Sequence, residues 1–235
     1  MIQLIVNADD FGYSRGINFG IIDAHKRGIL NSATMMMNMP GMRHAVELAK
    51  ENPNLQVGIH LVLTCGRPIL TDVPSLVDDN GNFKRLSEVK EGNEISIDDL
   101  EREWTAQLEL LLENGIQPTH FDSHHHVHTI PAFLPVVQKI AKKYNLSARN
   151  YFKEQVNDVR LFTDVFLDDF YGETATYDYF EKISSRVQDG QTVEVMCHPG
   201  YLDKAILSGS SYAIDRVKET EILTTISLPE GIVLL

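Results

Sequence analysis

The chain has 235 residues, 43% of them hydrophobic, which is enough for one substantial core in a single α/β domain. Its net charge of -12 and pI near 5.1 argue against nucleic acid or an anionic membrane as a partner, because both bind to basic patches. A small neutral substrate fits this composition better.

We expect neither a signal peptide nor a membrane-spanning segment in this sequence. Its first ten residues, MIQLIVNADD, contain no basic residue, and their apolar run is too short for a signal peptide. No window approaches the ~18 consecutive apolar residues that a membrane-spanning helix needs. Cys65 and Cys197 each lie in an apolar run, which predicts buried thiols rather than a disulfide framework. We therefore expect a cytoplasmic protein.

Strand and helix patterns alternate along the chain. The predicted strands are Ile2 to Val6, Ser32 to Met37, Leu55 to Leu63, Thr119 to Asp122, Thr192 to Cys197 and Ile232 to Leu235, with 165–170 as a further candidate. The predicted helices run from an N-cap at Ser14 to Arg27, over 42–51, from an N-cap at Asp98 to Gly115, from Pro131 to Tyr144, from Tyr177 to Val187, and over 212–225. Residues 64–97 lack a regular pattern, which predicts a lid or a binding loop.

This alternation predicts a parallel sheet with helices outside it. Polar clusters follow several predicted strands: Asp9 and Asp10, His60, Asp122 to His128, and His198. Catalytic groups gather at the carboxyl ends of the strands in a (β/α) barrel, and at one crevice in an open doubly wound sheet. Because four separate strands contribute clusters, we predict one domain over residues 1–235 with a (β/α) barrel-like fold, either closed or incomplete.

Five of the nine histidines lie in the nine-residue stretch HFDSHHHVH, which also holds Asp122. These histidines are His120, His124, His125, His126 and His128. Imidazole is a common metal ligand, and several adjacent imidazoles pack poorly into a core. The tract therefore predicts a metal site, although a surface metal scavenger without a catalytic role would also carry such a tract. His124 and His128 would share one face of a helix, whereas in a loop their spacing is uninformative.

Asp9 and Asp10 directly follow an apolar strand. Adjacent carboxylates repel each other and are costly to bury, so the ordinary interpretation of such a pair is a solvated start of a helix. The position at the end of a buried strand favours a functional role. A metal ion would relieve the repulsion, with one carboxylate as a ligand and the other as the base beside a bound water.

Other candidate residues carry weaker signals. A lone histidine on an apolar strand, such as His60, is more often a core residue than a ligand, but the other clusters favour a ligand here. His198 ends a strand before Pro199-Gly200 and is either a general acid or a histidine bonded to the backbone. Arg67 and Arg149 are candidates for holding a polar substrate, although each is also typical of an ordinary surface or ion-pair residue.

Four motifs, in this order, resemble the YdjC-like carbohydrate deacetylase family: IVNADDFG at 5–12, GIH at 58–60, PTHFDSHHHVH at 118–128 and EVMCHPG at 194–200. The resemblance extends from residue 2 to about residue 225. It implies a barrel-like α/β fold, a homodimer, dependence on magnesium, and hydrolysis of the N-acetyl group of an amino sugar. Chitobiose and short chitooligosaccharides are the substrates that it implies, with release of acetate.

Carried over residue by residue, the resemblance makes Asp10, His60 and His124 the metal ligands, Asp9 the general base and His198 the general acid. It gives no firm role to His125, His126 and His128, which would orient the ligands or contact the sugar. Together with these three histidines, the candidates for binding substrate or orienting ligands are Asp122, Arg67 and Arg149. Two imidazoles and one carboxylate suit zinc or another transition metal better than magnesium, which prefers oxygen ligands. We therefore expect one divalent metal ion and leave its identity open.

Two other functions remain open from the residues. A metal-dependent phosphoesterase also uses aspartate and histidine at strand ends, usually with two ions. A non-catalytic protein that binds a metal or a sugar would need the histidine tract but neither Asp9 nor His198.

Overall fold

A computed structural model describes residues 1–90 and 94–235 of the chain. These residues form two compact units. Unit 1 comprises residues 1–34, 40–56 and 163–235, and unit 2 comprises residues 35–39 and 57–162. Each unit is described by itself below, and the single domain expected over residues 1–235 stays a prediction.

The strands are β1 (Ile2–Phe11), β2 (Ser32–Met35), β3 (Gln56–Leu61), β4 (His120–Ser123), β5 (Ser147–Ala148), β6 (Val165–Leu167), β7 (Thr192–Cys197) and β8 (Ile232–Leu234). The α-helices are α1 (Arg15–Arg27), α2 (Met42–Glu51), α3 (Leu86–Val89), α4 (Ile97–Glu113), α5 (Leu134–Tyr144), α6 (Lys204–Gly209) and α7 (Asp215–Thr225). Parallel strands alternate with helices, so the predicted fold class, α/β with a (β/α) barrel-like arrangement of parallel strands, is confirmed.

Unit 1 is built around β1, whose neighbours are β2 on one side and β7 and then β6 on the other, with β8 also paired to β1. β1 and β7 are parallel and in register from Gln3 opposite Thr192 to Ala8 opposite Cys197. This register ends both strands at the same edge of the sheet, because parallel strands place their carboxyl ends together. Asp9, Asp10 and His198 therefore all follow the last paired positions.

Helix α1 packs closely against the turn that follows β7. Ser14 caps the helix by accepting a hydrogen bond from the backbone N–H of Ile17. A Cβ placed on Gly20 would lie 2.4 Å from the Cα of Gly200, so glycine is needed for this close approach. The contact fixes the turn that comes directly after His198.

Unit 2 contains the parallel strands β3, β4 and β5 in that spatial order. His60 of β3 lies opposite Asp122 of β4 in the strand register. Helix α4 buries an apolar face that includes Trp104 and Leu108. Its N-cap is Ser96, whose hydroxyl accepts from the N–H of Asp99, so the predicted cap at Asp98 is wrong. Asp98 instead lies in the first turn, where a carboxylate complements the helix dipole.

Much of the predicted loop over 64–97 is held by polar side chains of α4. The carboxylate of Glu103 accepts hydrogen bonds from the backbone N–H groups of Ile69 and Leu70, at 2.9 and 3.0 Å. Asp99 accepts from both the backbone and the hydroxyl of Ser75. A 3₁₀ turn and α3 also lie in this segment, while its residues 91–93 are outside the described residues. The segment is therefore anchored to α4 at Ile69, Leu70 and Ser75.

Several predicted elements differ from the structure. β1 continues to Phe11, which places the aspartate pair inside the strand rather than after it. The predicted helix over 177–187 is a short 3₁₀ turn, Phe180–Ser185. The short elements β5 and α6 were not predicted, because two or six residues carry too little periodicity. Among the described residues, no helix is both long enough and apolar enough to span a membrane.

Candidate active site

The aspartate pair at the end of β1 is buried, and each carboxylate has its own support. The side-chain amide of Asn7 donates to Asp9 Oδ1 at 3.0 Å, and Asn7 is itself held by the hydroxyl of Ser32 at 2.7 Å. Arg216 of α7 donates to Asp10 Oδ2 at 2.5 Å. The solvated helix start that we weighed against a functional pair is therefore not what the structure contains.

Asp10 has a backbone φ of 67°, in the left-handed region that few non-glycine residues adopt. Such a conformation costs about 1–3 kcal/mol and persists only where the surrounding contacts impose it. Here the ion pair with Arg216 fixes the side chain, and the register with β7 fixes the preceding strand. Because of this backbone conformation, Asp10 does not follow the regular alternation of side chains along a β-strand.

His198 follows β7 in a network anchored by Glu219 of α7. The backbone N–H of His198 and the hydroxyl of Tyr212 both donate to the Glu219 carboxylate. Burial raises the pKa of Glu219 to about 8, against the opposing effects of these two hydrogen bonds. The His198 ring lies edge-on to Tyr171 and Tyr212, with centroids 5.5 and 5.6 Å away. The network holds the backbone that presents the imidazole.

Sequence reasoning missed Arg216 and Glu219. Both lie on α7 at a spacing of three residues, which places them on the same helix face, and both are buried. The available signal was an arginine and a glutamate three residues apart in the predicted helix over 212–225. The sequence does not show that they are buried or which side chains they contact. The structure shows that they support the two strand ends of unit 1.

In unit 2, three buried side chains form a chain of charge-assisted contacts. The Nδ1–H of His60 donates to Asp122 Oδ1 at 2.7 Å, since a carboxylate only accepts. Arg149 pairs with Asp122 Oδ2, also at 2.7 Å. All three residues are almost fully buried. The arrangement fixes the orientation of the His60 ring and leaves its Nε2 as the nitrogen that would bind a metal ion.

The histidine tract is not an α-helix. His124–Thr129 forms a 3₁₀ turn in which His125 and His126 have φ values of 58° and 55°. The helical spacing considered for His124 and His128 therefore does not apply. With this backbone the ring centroids of His124 and His125 lie 4.0 Å apart, and those of His126 and His128 lie 6.4 Å apart.

The tract histidines have separate contacts within unit 2. The ring of His124 lies 5.6 Å from the ring of His60. His125 is exposed and hydrogen-bonded to Thr64. His126 contacts Tyr151, and buried His128 bonds the hydroxyl of Ser123.

The remaining candidates also have defined places. His120 stacks on Phe162 with centroids 3.7 Å apart, which is a packing contact. Arg67 donates to the carbonyl of Asn80 and so binds its own loop. Arg149 and Asp122 lie beneath His60 rather than on the surface, a position suited to orienting a ligand. Their roles toward a substrate stay predictions.

Unit 1 thus carries the buried carboxylates of Asp9 and Asp10, and unit 2 carries the imidazoles of His60 and His124. One carboxylate and two imidazoles form a common donor set for zinc, iron, cobalt or nickel. The residues present therefore fit a divalent ion, and they do not specify which one.

Known proteins match this chain over nearly its whole length. The YdjC-like protein family matches residues 3–232. A carbohydrate deacetylase from Geobacillus stearothermophilus is 53% identical over 221 residues, which cover 94% of this chain and 88% of that protein. One from Halalkalibacterium halodurans is 45% identical and covers all of both chains.

A solved structure is similar over the same length. It is a protein from Enterococcus faecalis whose name proposes cleavage of cellobiose phosphate, with a TM-score of 0.92 and 35% identity over 99% of this chain and 96% of that one. The resemblance seen in the four motifs is confirmed, and the predicted enzyme class, hydrolysis of an amide in a sugar derivative, is that of the named deacetylases. Because the match extends over nearly the whole sequence, this chain belongs to the YdjC-like protein family.

Proposed function

We propose that this chain is a metal-dependent carbohydrate N-deacetylase, which hydrolyses the N-acetyl group of an amino sugar and releases acetate. The observation that carries the proposal is the pair of imidazoles in unit 2, His60 and His124, whose ring centroids lie 5.6 Å apart and of which His60 is oriented by Asp122. The sequence identity to carbohydrate deacetylases supports the reaction class.

The proposed ligands are Asp10, His60 and His124, with one divalent ion. Asp122 is not among the proposed ligands, because both of its oxygens already accept from His60 and Arg149. A divalent ion held by the proposed ligands would polarise the acetyl carbonyl and lower the pKa of water. The structural donors favour zinc or another transition metal, while family resemblance implies magnesium.

Asp9 is the proposed general base. It accepts the proton of the attacking water as the oxygen bonds to the acetyl carbon, and Asn7 fixes its carboxylate. The two adjacent aspartates therefore have different proposed roles, Asp9 as the base and Asp10 as a metal ligand. Arg216 pairs with the Asp10 carboxylate, and the neutral side-chain amide of Asn7 donates to the Asp9 carboxylate.

His198 is the proposed general acid. When the carbon–nitrogen bond breaks, the departing nitrogen needs a proton, because a free amide anion is too basic to leave. The imidazolium of His198 supplies that proton, and the products are acetate and the free amine. Glu219 holds the backbone of His198, so that the imidazole is presented from a fixed turn.

The finer parts of the proposal concern substrate and assembly. We propose chitobiose and short chitooligosaccharides as substrates for a cytoplasmic homodimer. The name of the Enterococcus faecalis relative also refers to a disaccharide, in that case phosphorylated, which supports a substrate of this size. A phosphorylated acetylated disaccharide therefore belongs in the substrate panel.

The proposal is tested by acetate release from diacetylchitobiose with metal-stripped protein, before and after single divalent ions are restored. We expect release only with metal, with transition metals at least as effective as magnesium. A matched assay for phosphate release from a phosphorylated disaccharide tests the phosphoesterase alternative. Phosphate release without acetate release would overturn the deacetylase proposal, and binding of sugar without either reaction would favour the non-catalytic alternative.

A further inference from the structure

An exposed aromatic ring lies next to His198 and has no role in the reaction described so far. Tyr171 follows β6 and is 43% exposed. One face of its ring stacks on Tyr212, with centroids 3.9 Å apart and planes 16° from parallel. The ring is therefore supported from one side while much of its surface remains open to solvent.

The three ring centroids show where His198 lies. His198 is 5.5 Å from Tyr171 and 5.6 Å from Tyr212, almost equal distances. If His198 covered the outer face of Tyr171, it would be much farther from Tyr212 than from Tyr171. The imidazole is instead beside the stack, at the edges of both rings, so neither His198 nor Tyr212 covers the outer face of Tyr171.

The stack is rigidly supported. Tyr212 is mostly buried, its hydroxyl donates to Glu219, and the backbone N–H of Gly172 donates to the same hydroxyl at 2.7 Å. Lys218 of α7 donates to the carbonyl of Gly172 at 3.0 Å. The backbone adjoining Tyr171 is thus held before any ligand binds, which reduces the ordering cost of binding.

We infer that the outer face of Tyr171 is a platform for the pyranose ring of the acetylated amino sugar. A pyranose presents a face of C–H groups that packs against an aromatic ring, and such aromatic surfaces line many small-molecule sites. The substituent nitrogen projects from the edge of a sugar ring, and His198 lies at the edge of the Tyr171 stack. This inference rests on the proposed function, because it takes the nitrogen beside His198 as the one that leaves.

The test compares steady-state kinetics on diacetylchitobiose for the wild type, Tyr171→Ala, Tyr171→Leu and Tyr171→Phe. We expect Tyr171→Ala to raise KM by about 10-fold, the effect of losing roughly one stacking contact, with kcat within about 2-fold of wild type. Tyr171→Leu retains apolar bulk without an aromatic face, so its KM should lie between those of the wild type and Tyr171→Ala. Tyr171→Phe retains the ring and should match the wild type. Tyr177→Ala, which removes another exposed tyrosine, is the control and should change neither constant.

The outcomes separate the platform from the reaction itself. Acetate release by the wild type with an unchanged KM in Tyr171→Ala would overturn the platform and leave the proposed function intact. A fall in kcat alone would also overturn it, since that result means that Tyr171 only positions His198. If the wild type releases no acetate, the proposed function fails, and calorimetric titration with the same sugar decides the platform. Binding that Tyr171→Ala weakens supports it, and no binding overturns it.

Discussion

The strand ends of the two units support their polar side chains in different ways. In unit 2, His60, Asp122 and Arg149 come from β3, from β4 and from the residue after β5, so neighbouring strands supply each partner. In unit 1, the partners of Asp10 and His198 come from helix α7. The register of the strands does not predict which residues of that helix contact them. Contacts between adjacent strands follow from strand order, whereas contacts from a covering helix depend on how that helix packs.

The largest effect should come from removing the imidazoles that we propose as metal ligands. His60→Ala and His124→Ala should each lose the bound metal and all metal-dependent acetate release, because a three-residue site cannot spare one ligand. Metal content by plasma mass spectrometry measures this. His125→Ala is the matched control, since His125 is exposed and bonded to Thr64, and it should retain the metal. Full metal content in His124→Ala would remove His124 from the ligand set.

Substitutions of the two adjacent aspartates should have different effects on turnover and on metal content. Asp9→Asn should lower kcat about 100- to 10,000-fold with metal content unchanged, because it removes a base and not a ligand. Asp10→Asn should lose the metal. Acetate release and metal content are measured on the same samples. Normal turnover by Asp9→Asn would show that the base has been assigned to the wrong aspartate.

The support beneath His60 should affect metal affinity more mildly. Asp122→Asn retains the shape of the side chain but weakens the hydrogen bond that orients the imidazole, and we expect about 10- to 100-fold weaker metal binding. Competition with a chromogenic chelator gives the affinity. An affinity equal to that of the wild type would mean that Asp122 does not act through His60.

The buried ion pair of Asp122 and Arg149 should also contribute to the stability of the fold. Arg149→Met leaves Asp122 buried without its guanidinium, and we expect the free energy of unfolding to fall by about 3–5 kcal/mol. Lys139→Ala breaks the exposed pair with Glu101 and should cost at most about 1 kcal/mol. Urea unfolding followed by circular dichroism compares the two variants, and equal losses would contradict a special role for the buried pair.

The smallest effect concerns the pH dependence that Glu219 introduces into unit 1. Burial raises its pKa from 4.5 to about 8, with a smaller contribution from Asp215, against the opposing effects of Tyr212, the His198 backbone and Arg216. Between these values the folded state holds a proton that the unfolded state releases, so the stability from this group is complete below pH 4.5 and is lost as pH rises through about 8. The slope from one such group is at most about 1.4 kcal/mol per pH unit.

Glu219→Gln cannot titrate and should flatten this dependence. We expect the difference in urea midpoint between about pH 5 and about pH 8 to be smaller in Glu219→Gln than in the wild type. Glu221→Gln, an exposed substitution on the same helix, should leave the difference unchanged. An unaltered pH dependence in Glu219→Gln would mean that Glu219 keeps one protonation state over this range.

Much of the fold was predictable because its signals are local. The capped helix from Ser14 to Arg27, helix α2 and strand β7 follow from capping and periodicity within a few residues, and the structure has them where predicted. The 3₁₀ turn over Phe180–Ser185 was taken for a helix because the two share a similar apolar spacing over so short a stretch.

The sequence by itself determined the class of fold, the strand ends that carry aspartate and histidine, and the donor types available to a metal ion. These features depend on which residues follow which along the chain. Only the tertiary structure decided that Arg216 pairs with Asp10, that Glu219 holds His198, and that Asp122 and Arg149 lie beneath His60. Such partners are up to about 200 residues apart, and their pairing depends on burial, which makes an unpaired charge too costly, and on packing that no local pattern encodes.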